Sequence, residues 1–258
     1  MTVLAIANQK GGVGKTTTAH NLGHCLVLEG RNVLLIDLDQ RGDLTTCVGL
    51  NPDAVDKTIY DVIVATIHRR QEPTIDQVSI ETDFGAFIAS ANDKLSGAQA
   101  DLMTAVGGDS ILKYAIQKIK NQYDYIIIDT PADLNLLTIN ALVASDQVII
   151  PIQTEFLSAK GARRLLETIT VVRDRINPNL EIAGLILTMI SHTLISQEIA
   201  DATYKTFNQR IPVYKTVIRR RVALASAQRN HQTIFQFDPK SDSAADYRDL
   251  TKEVIDHA

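Results

Sequence analysis

The sequence predicts an α/β fold, a doubly wound and mostly parallel sheet with helices on both faces. Three observations carry that prediction. Apolar runs of strand length recur along the chain, with helical patterns between them. Several of these runs are continuous rather than alternating, as strands covered on both faces require. A glycine-rich segment, Gln9-Lys10-Gly11-Gly12-Val13-Gly14-Lys15-Thr16-Thr17, lies between the first apolar run and the first helical pattern.

The strand-like runs are residues 3–7, 33–38, 86–89, 125–128, 148–152 and 182–189. After the glycines, Ala19, Leu22, Cys25 and Leu26 recur at helical spacing, and Gly30 is placed to stop that helix. Residues 51–82 are less regular and read as helices and connections over one flank, while 97–108 is weakly patterned. There is no internal repeat, low-complexity tract or clear linker, so 1–258 reads as one domain. With 258 residues, 45% of them hydrophobic, the chain is long enough to bury a substantial core.

Composition narrows the function. A net charge of −4 does not draw the whole molecule to nucleic acid, so any such contact needs a local patch. Two cysteines make no disulfide framework and suit a reducing cytosol. The chain enters a strand at once, without a signal peptide. No apolar run approaches the roughly 20 residues of a membrane span.

The glycine-rich segment is suited to phosphate. Gly11, Gly12 and Gly14 allow a tight backbone whose N–H groups point inward. Strand, loop and helix in succession place phosphates on a helix N-terminus. Lys15 would reach the β- and γ-phosphates, and the Thr16 hydroxyl would ligate Mg²⁺. Gln9 stands where G-x-x-x-x-G-K-[ST] begins with Gly, and a second lysine, Lys10, precedes the glycine pair. Lys10 is not needed for the phosphates of its own subunit.

Carboxylates follow two other strands. Asp37 and Asp39 fall on the same side of a strand end, where a carboxylate holds a metal-bound water or orients an attacking one. Ile126-Ile127-Ile128-Asp129 is a second nucleotide motif, with Asp129 reaching Mg²⁺ through water. Pro131 ends the strand and opens a loop able to sense the γ-phosphate. These motifs all follow strands, so they converge on one sheet edge. Thr216-Val217-Ile218-Arg219-Arg220-Arg221 ends in the chain's only run of three basic residues. His20 and His24, four apart on the first helix, read as a buried or surface polar pair rather than half a metal site.

The chain resembles the ParA/MinD family of deviant Walker ATPases, and most of all ParA (Soj-type) partition ATPases. Asn8 through Thr17 carry the likeness position by position. So do Leu34-Leu35-Ile36-Asp37-Leu38-Asp39, Asp129-Thr130-Pro131, Leu136-Leu137-Thr138-Ile139-Asn140-Ala141-Leu142 and Asp238-Pro239-Lys240-Ser241. The resemblance implies a P-loop NTPase fold of deviant Walker type. It implies ATP and Mg²⁺ as cofactors, with ATP sandwiched in a homodimer. Lys10 would reach the partner's phosphates, and Asp39 would position the attacking water and stand near the metal with Thr16 and Asp129. Nucleotide contacts would run from Lys10 through Gly11, Gly12, Val13, Gly14, Lys15 and Thr16 to Thr17. Thr188, Met189 and Pro239 would form the adenine pocket.

The arginine run aligns with a family loop that contacts DNA without sequence preference, which makes Arg219, Arg220 and Arg221 the candidate DNA patch. Hydrolysis would be slow alone and stimulated by a ParB-like or adaptor protein. Such a protein would be cytoplasmic and nucleoid-associated, segregating a plasmid or chromosome. The alternatives are distribution of a protein cargo (a carboxysome or chemoreceptor cluster) and MinD-like regulation of division-site placement at a membrane. The membrane alternative calls for a basic amphipathic C-terminal helix, whereas residues 249–258 carry little basic charge. A nitrogenase-iron-protein type would need cluster-ligating cysteines, and Cys25 and Cys47 are poorly spaced for that. No added N-terminal DNA-reading domain is expected. The chain departs from the family at Gln40-Arg41-Gly42-Asp43, where Pro-Gln-Gly-Asn is usual, and at Ala132, where a second Pro is usual.

Overall fold

The computed structural model describes residues 1–153, 158–191, 194–207 and 211–256. Eight strands form one sheet: β1 (Thr2–Ile6), β2 (Val33–Asp37), β3 (Ser79–Glu81), β4 (Phe87–Ala89), β5 (Tyr125–Asp129), β6 (Gln147–Gln153), β7 (Glu181–Ile190) and β8 (Val213–Arg219). Their order across the sheet is β3-β4-β2-β5-β1-β6-β7-β8. Every neighbouring pair is parallel except β3–β4.

Alternation along the strands divides the core into two layers. Val3, Ala5, Leu34, Ile36, Ile126, Ile128, Val148 and Ile150 face helices carrying Ile59, Ile63, Leu112 and Ala141. Leu4, Ile6, Leu35, Ile127 and Ile149 face the other way, onto Leu22 and Leu26 of the first helix and Tyr247, Leu250 and Val254 of the C-terminal helix. Both faces are apolar because both are covered, which explains the unbroken Tyr125-Ile126-Ile127-Ile128 run. Leu22 and Leu26 are fully buried, and each such side chain contributes about 1.5–3 kcal/mol. The first helix lies close on the sheet. A Cβ added at Gly23 would come within 2.7 Å of Leu35 Cδ2.

The six strands expected from the sequence are present, each end within one residue of its expected place. Two further strands, β3 and β8, were not expected. Both lie at sheet edges, where the half-covered pattern is short or interrupted by a charge such as exposed Lys215. The flank 51–82 holds a 3₁₀ turn (Pro52–Ala54) and helices Ile59–Ile67 and Ile75–Val78 before β3. The weakly patterned stretch 97–108 belongs largely to helix Leu95–Thr104, which buries Leu95, Ala98 and Leu102 on one side. The first helix spans Lys15–Leu28, and Gly30 follows it at φ +74° with its N–H on the Val27 carbonyl.

Register fixes what meets at the carboxyl edge. Ile6, Asp37 and Asp129 lie level across β1, β2 and β5. Gln153, Thr188 and Ile218 lie level across β6, β7 and β8. The glycine-rich loop leaves β1 between these two groups.

Candidate nucleotide site

The loop's shape depends on two glycines. Gly12 and Gly14 sit at φ +72° and +89°, a left-handed backbone that other residues rarely adopt. Gly14 is also the N-cap of helix Lys15–Leu28, so the helix begins where the loop ends. A Cβ at Gly11 would lie 3.8 Å from Ala132, and one at Gly14 would lie 3.9 Å from Thr188. Ala132 and Thr188 therefore wall the loop on its two sides.

Lys15 is buried, with Nζ 3.5 Å from the Lys10 carbonyl oxygen. Burial pulls its pKa below the usual lysine value, partly opposed by Asp129 and Asp39. Lys10 is half-buried, and its Nζ donates to Gln153 Oε1 at 3.2 Å. The two lysines of one loop thus occupy different settings, one inside and one at the rim.

Thr16 Oγ1 donates to Asp129 Oδ2 at 2.6 Å. The other oxygen, Asp129 Oδ1, is buried and has no hydrogen-bond partner among the described residues. Burial first, then the neighbouring Asp37, pushes the Asp129 carboxyl well above the usual range. Asp37 is also fully buried, and burial raises it to about 6. Its Oδ2 accepts from Thr45 N at 2.8 Å and Thr45 Oγ1 at 2.7 Å, and its Oδ1 from Asp39 N at 3.1 Å. Asp37 is therefore committed to holding the acidic loop. Asp39 lies beyond it, almost buried, with both oxygens facing the Arg41 guanidinium.

These groups fit a hard divalent cation. A buried orphan carboxylate oxygen, a hydroxyl beside it and a second carboxylate nearby are the oxygen donors such an ion takes. Thr16 and Asp129 would hold it, with Asp39 close by, and its charge would offset the two buried acids. When bound, it would supply positive charge to offset that of the nucleotide's phosphates.

On the opposite side of the loop is a cavity of about 320 Å³, lined by Gly14, Thr17, Thr188, Met189, Arg220 and Tyr247 among others. Thr188 Oγ1 donates to the Val13 carbonyl at 2.8 Å, which ties β7 to the loop. Met189 has φ +55°, a left-handed value unusual for a large side chain and one that clusters at functional sites. Gln228 Nε2 donates to Thr17 Oγ1 at 2.9 Å. Thr188 and Met189 thus line one cavity with Gly14 and Thr17 of the loop. Pro239 does not line this cavity; it is exposed, and its carbonyl accepts from Arg248.

The arginine run ends β8 and leads into helix Val222–Arg229. All three arginines border the same cavity. Two of them are engaged by the C-terminal helix. Arg221 bonds Asp246 and lies 3.5 Å from Asp242, and Arg219 lies 3.5 Å from Asp246. Arg220 is exposed and makes no ion pair with a described residue. Lys205 and Lys215 are exposed, whereas Arg210 and the segment His192-Thr193 lie outside the described residues.

His20 and His24 are a buried pair against Phe84, with ring centroids 5.5 and 4.7 Å from it. Burial lowers their pKa to about 3 and about 4. Cys25 and Cys47 are buried free thiols, and burial pushes Cys47 up to about 12. Sequence reasoning missed Gln153, Thr45, Gln228 and Tyr247. Only Gln153 had a signal, since it ends a strand on the motif-bearing edge.

Comparison with known proteins decides the family. The AAA domain family model matches residues 1–182. The chain is 41% identical over 253 residues to the sporulation initiation inhibitor protein Soj of Bacillus subtilis, covering 98% of this chain and 97% of that one. It is 38% identical to the chromosome partitioning protein ParA of Caulobacter vibrioides, covering 98% and 93%. The chain belongs to the ParA/MinD family of ATPases.

Solved ParA/MinD-like structures agree with the geometry. Cobyrinic acid a,c-diamide synthase from Mycobacterium smegmatis, with bound ADP and magnesium, superimposes with a TM-score of 0.86 at 34% identity, covering 100% of this chain and 95% of that one. Pyrococcus furiosus cell division ATPase MinD, at 24% identity and a TM-score of 0.77, covers 100% and 99% and shares the fold. The doubly wound sheet and the ParA/MinD membership thus confirm the expected fold class. No helix among the described residues is long and apolar enough to cross a membrane.

Proposed function

We propose that this chain is a ParA-type partition ATPase. It binds ATP and Mg²⁺ at the Gly11–Thr17 loop, forms an ATP-sandwich homodimer, and binds DNA without sequence preference. It hydrolyses ATP when a ParB-like or adaptor protein stimulates it, and so segregates a plasmid or chromosome in the cytoplasm, on the nucleoid. The observation that carries this reading is the division of the loop's two lysines: Lys15 is buried at the phosphate position, and Lys10 stands at the rim. A cation at the rim suits the phosphates of a second subunit. Phosphoryl transfer depends on cations and positioning more than on covalent help, so a lysine delivered by a partner links dimerisation to turnover.

Asp39 is the residue we assign to the attacking water, with Thr16 and Asp129 at the metal. Arg219, Arg220 and Arg221 are the proposed DNA contacts. The C-terminal helix Asp242–Asp256 packs Tyr247, Leu250 and Val254 into the core, so its apolar face is already covered. That packing favours the DNA reading over a MinD-like membrane helix. The relatives named chromosome-partitioning proteins, at 35–38% identity over nearly the whole chain, favour it too.

The test is the mass of the protein in solution by light scattering. ATP, and not ADP, is expected to drive dimerisation, and Lys10→Ala is expected to lose it while still binding nucleotide. Equal dimer content in Lys10→Ala and wild type under ATP would refute the cross-subunit role.

A further inference from the structure

Gln40 and Arg41 follow Asp39 out of the β2 strand end, and the fold gathers them beside Pro131 and Ala132. Asp39, Gln40, Arg41, Pro131 and Ala132 line one cavity of about 270 Å³, distinct from the cavity beside Thr188. Within it the Arg41 guanidinium grips the Asp39 carboxylate. Nε lies 3.3 Å from each oxygen and Nη2 lies 2.9 Å from Oδ2, a two-pronged pairing. The Arg41 backbone N–H adds a bond to Oδ1 at 3.1 Å. Asp43 holds the same Nη2 at 3.2 Å.

This arrangement bears on catalysis because Asp39 is the carboxylate assigned to the attacking water, and the inference rests on that reading. A carboxylate positions water by accepting its hydrogen, and it must turn an oxygen toward the water to do so. Here both oxygens are occupied by Arg41. The two partners are unequal. Asp39 is fixed by the fold, its side chain 7% exposed, whereas the Arg41 side chain is 59% exposed. An ion pair with one exposed partner holds weakly and opens readily. It is also close enough to the loop for its charge to be felt at Lys15 and Asp129.

We propose that Arg41 is a positioning residue for hydrolysis. It holds Asp39 away from the attacking water until the pair opens, and it thereby sets a low unstimulated turnover. A glutamine here would lack both the charge and the fork, so the restraint depends on arginine at this position.

The test compares wild type, Arg41→Gln and Arg41→Lys in phosphate release from ATP with Mg²⁺, without DNA or partner. Arg41→Gln is expected to raise kcat about two- to fivefold, the bias an exposed ion pair imposes, with KM unchanged. Arg41→Lys, which keeps charge without the fork, is expected to fall between. In an Asp39→Ala background Arg41→Gln is expected to change nothing, because there is no carboxylate left to release. An unchanged or lowered kcat in Arg41→Gln overturns the proposal. So does an effect that persists without Asp39, and so does a change confined to KM, which marks a structural role. The ATPase reading fails separately if wild type releases no phosphate or if the release is not abolished by Lys15→Ala. If Arg41→Gln is then inert as well, both fall.

Discussion

The two sides of the phosphate loop carry opposite charge problems. On the β2–β5 side, Asp37 and Asp129 are buried neighbours in register, and the cation buried beside them is Lys15. On the β7–β8 side, Arg219 and Arg221 reach toward solvent, and Asp242 and Asp246 already match them. One side lacks positive charge and the other has satisfied its own. A ligand bearing Mg²⁺ completes the first without displacing a side chain, since Asp129 Oδ1 is unpartnered. A polyanion at the second meets Arg220 freely but must displace carboxylates to reach Arg219 and Arg221. Nucleotide binding should therefore be the stronger and simpler event, and DNA binding a conditional one.

The largest expected effect breaks the first side. Lys15→Ala removes its buried cation and the group placed for the β- and γ-phosphates. Removing a charged hydrogen-bond donor from such a setting costs about 3 kcal/mol, roughly a hundredfold in Kd. Calorimetric titration with ATP and Mg²⁺ measures it. Wild-type affinity in the variant would mean that the loop's backbone alone holds the phosphates.

A smaller effect reads the same charge deficit through pH. Burial raises Asp37 from 3.8 to about 6, so the folded protein binds a proton more tightly than the unfolded chain does. A raised carboxyl contributes stability that is present below the unfolded pKa and is lost as pH rises through the folded one. Between roughly pH 4.5 and 6 the ligand-free protein should lose about 1.5 kcal/mol from this group. Asp129 is shifted in the same direction, by burial first and then by the neighbouring Asp37. Denaturant melts at several pH values, for wild type and Asp37→Asn, measure the difference. The two profiles should converge at the acid end. Parallel profiles would show that Asp37 is ionised throughout.

The two sides were unequally legible in the sequence. Gly12, Gly14, Lys15, Thr16, Asp37 and Asp129 are read from short-range order, because strand, loop and helix succession fixes where such residues go. The separation of Asp37 from Asp39 was not legible. Alternation put them on one side of a strand end, but Thr45, eight residues on, takes Asp37 for the loop. The arginine side depends on contacts between distant segments. Asp246 lies 25 residues beyond Arg221, on a helix whose register no motif announces. β8 itself was hidden by the same means, as an edge strand with a charge in its middle. The likeness of Pro239 to the family motif likewise could not say that its carbonyl bonds Arg248 instead of lining the cavity.

The arginine side is open to test at Asp246. If Asp246 restrains the arginine run as an internal stand-in for phosphate, Asp246→Asn should tighten binding of a random-sequence duplex by the ATP-bound protein. The Arg219 partner of Asp246 is partly exposed, and an ion pair with an exposed partner is worth under about 1 kcal/mol, so the gain should be about two- to fivefold at low salt. Arg219 and Arg221 would then reach phosphates that only Arg220 reaches freely in wild type, and the log–log salt dependence should steepen. Arg220→Ala should do the reverse, flattening that dependence by about 0.9 for the single phosphate contact it loses. The triple Ala variant of Arg219, Arg220 and Arg221 should flatten it further. Asp246 is largely buried, so a thermal melt must show Asp246→Asn folded at the assay temperature. A folded Asp246→Asn that binds no better than wild type would mean that the carboxylate does not compete with DNA. If Arg220→Ala also left binding and salt dependence unchanged, the arginine run would be part of the wall of the Thr188–Met189 cavity, and the DNA contacts would lie elsewhere, starting with Lys205 and Lys215.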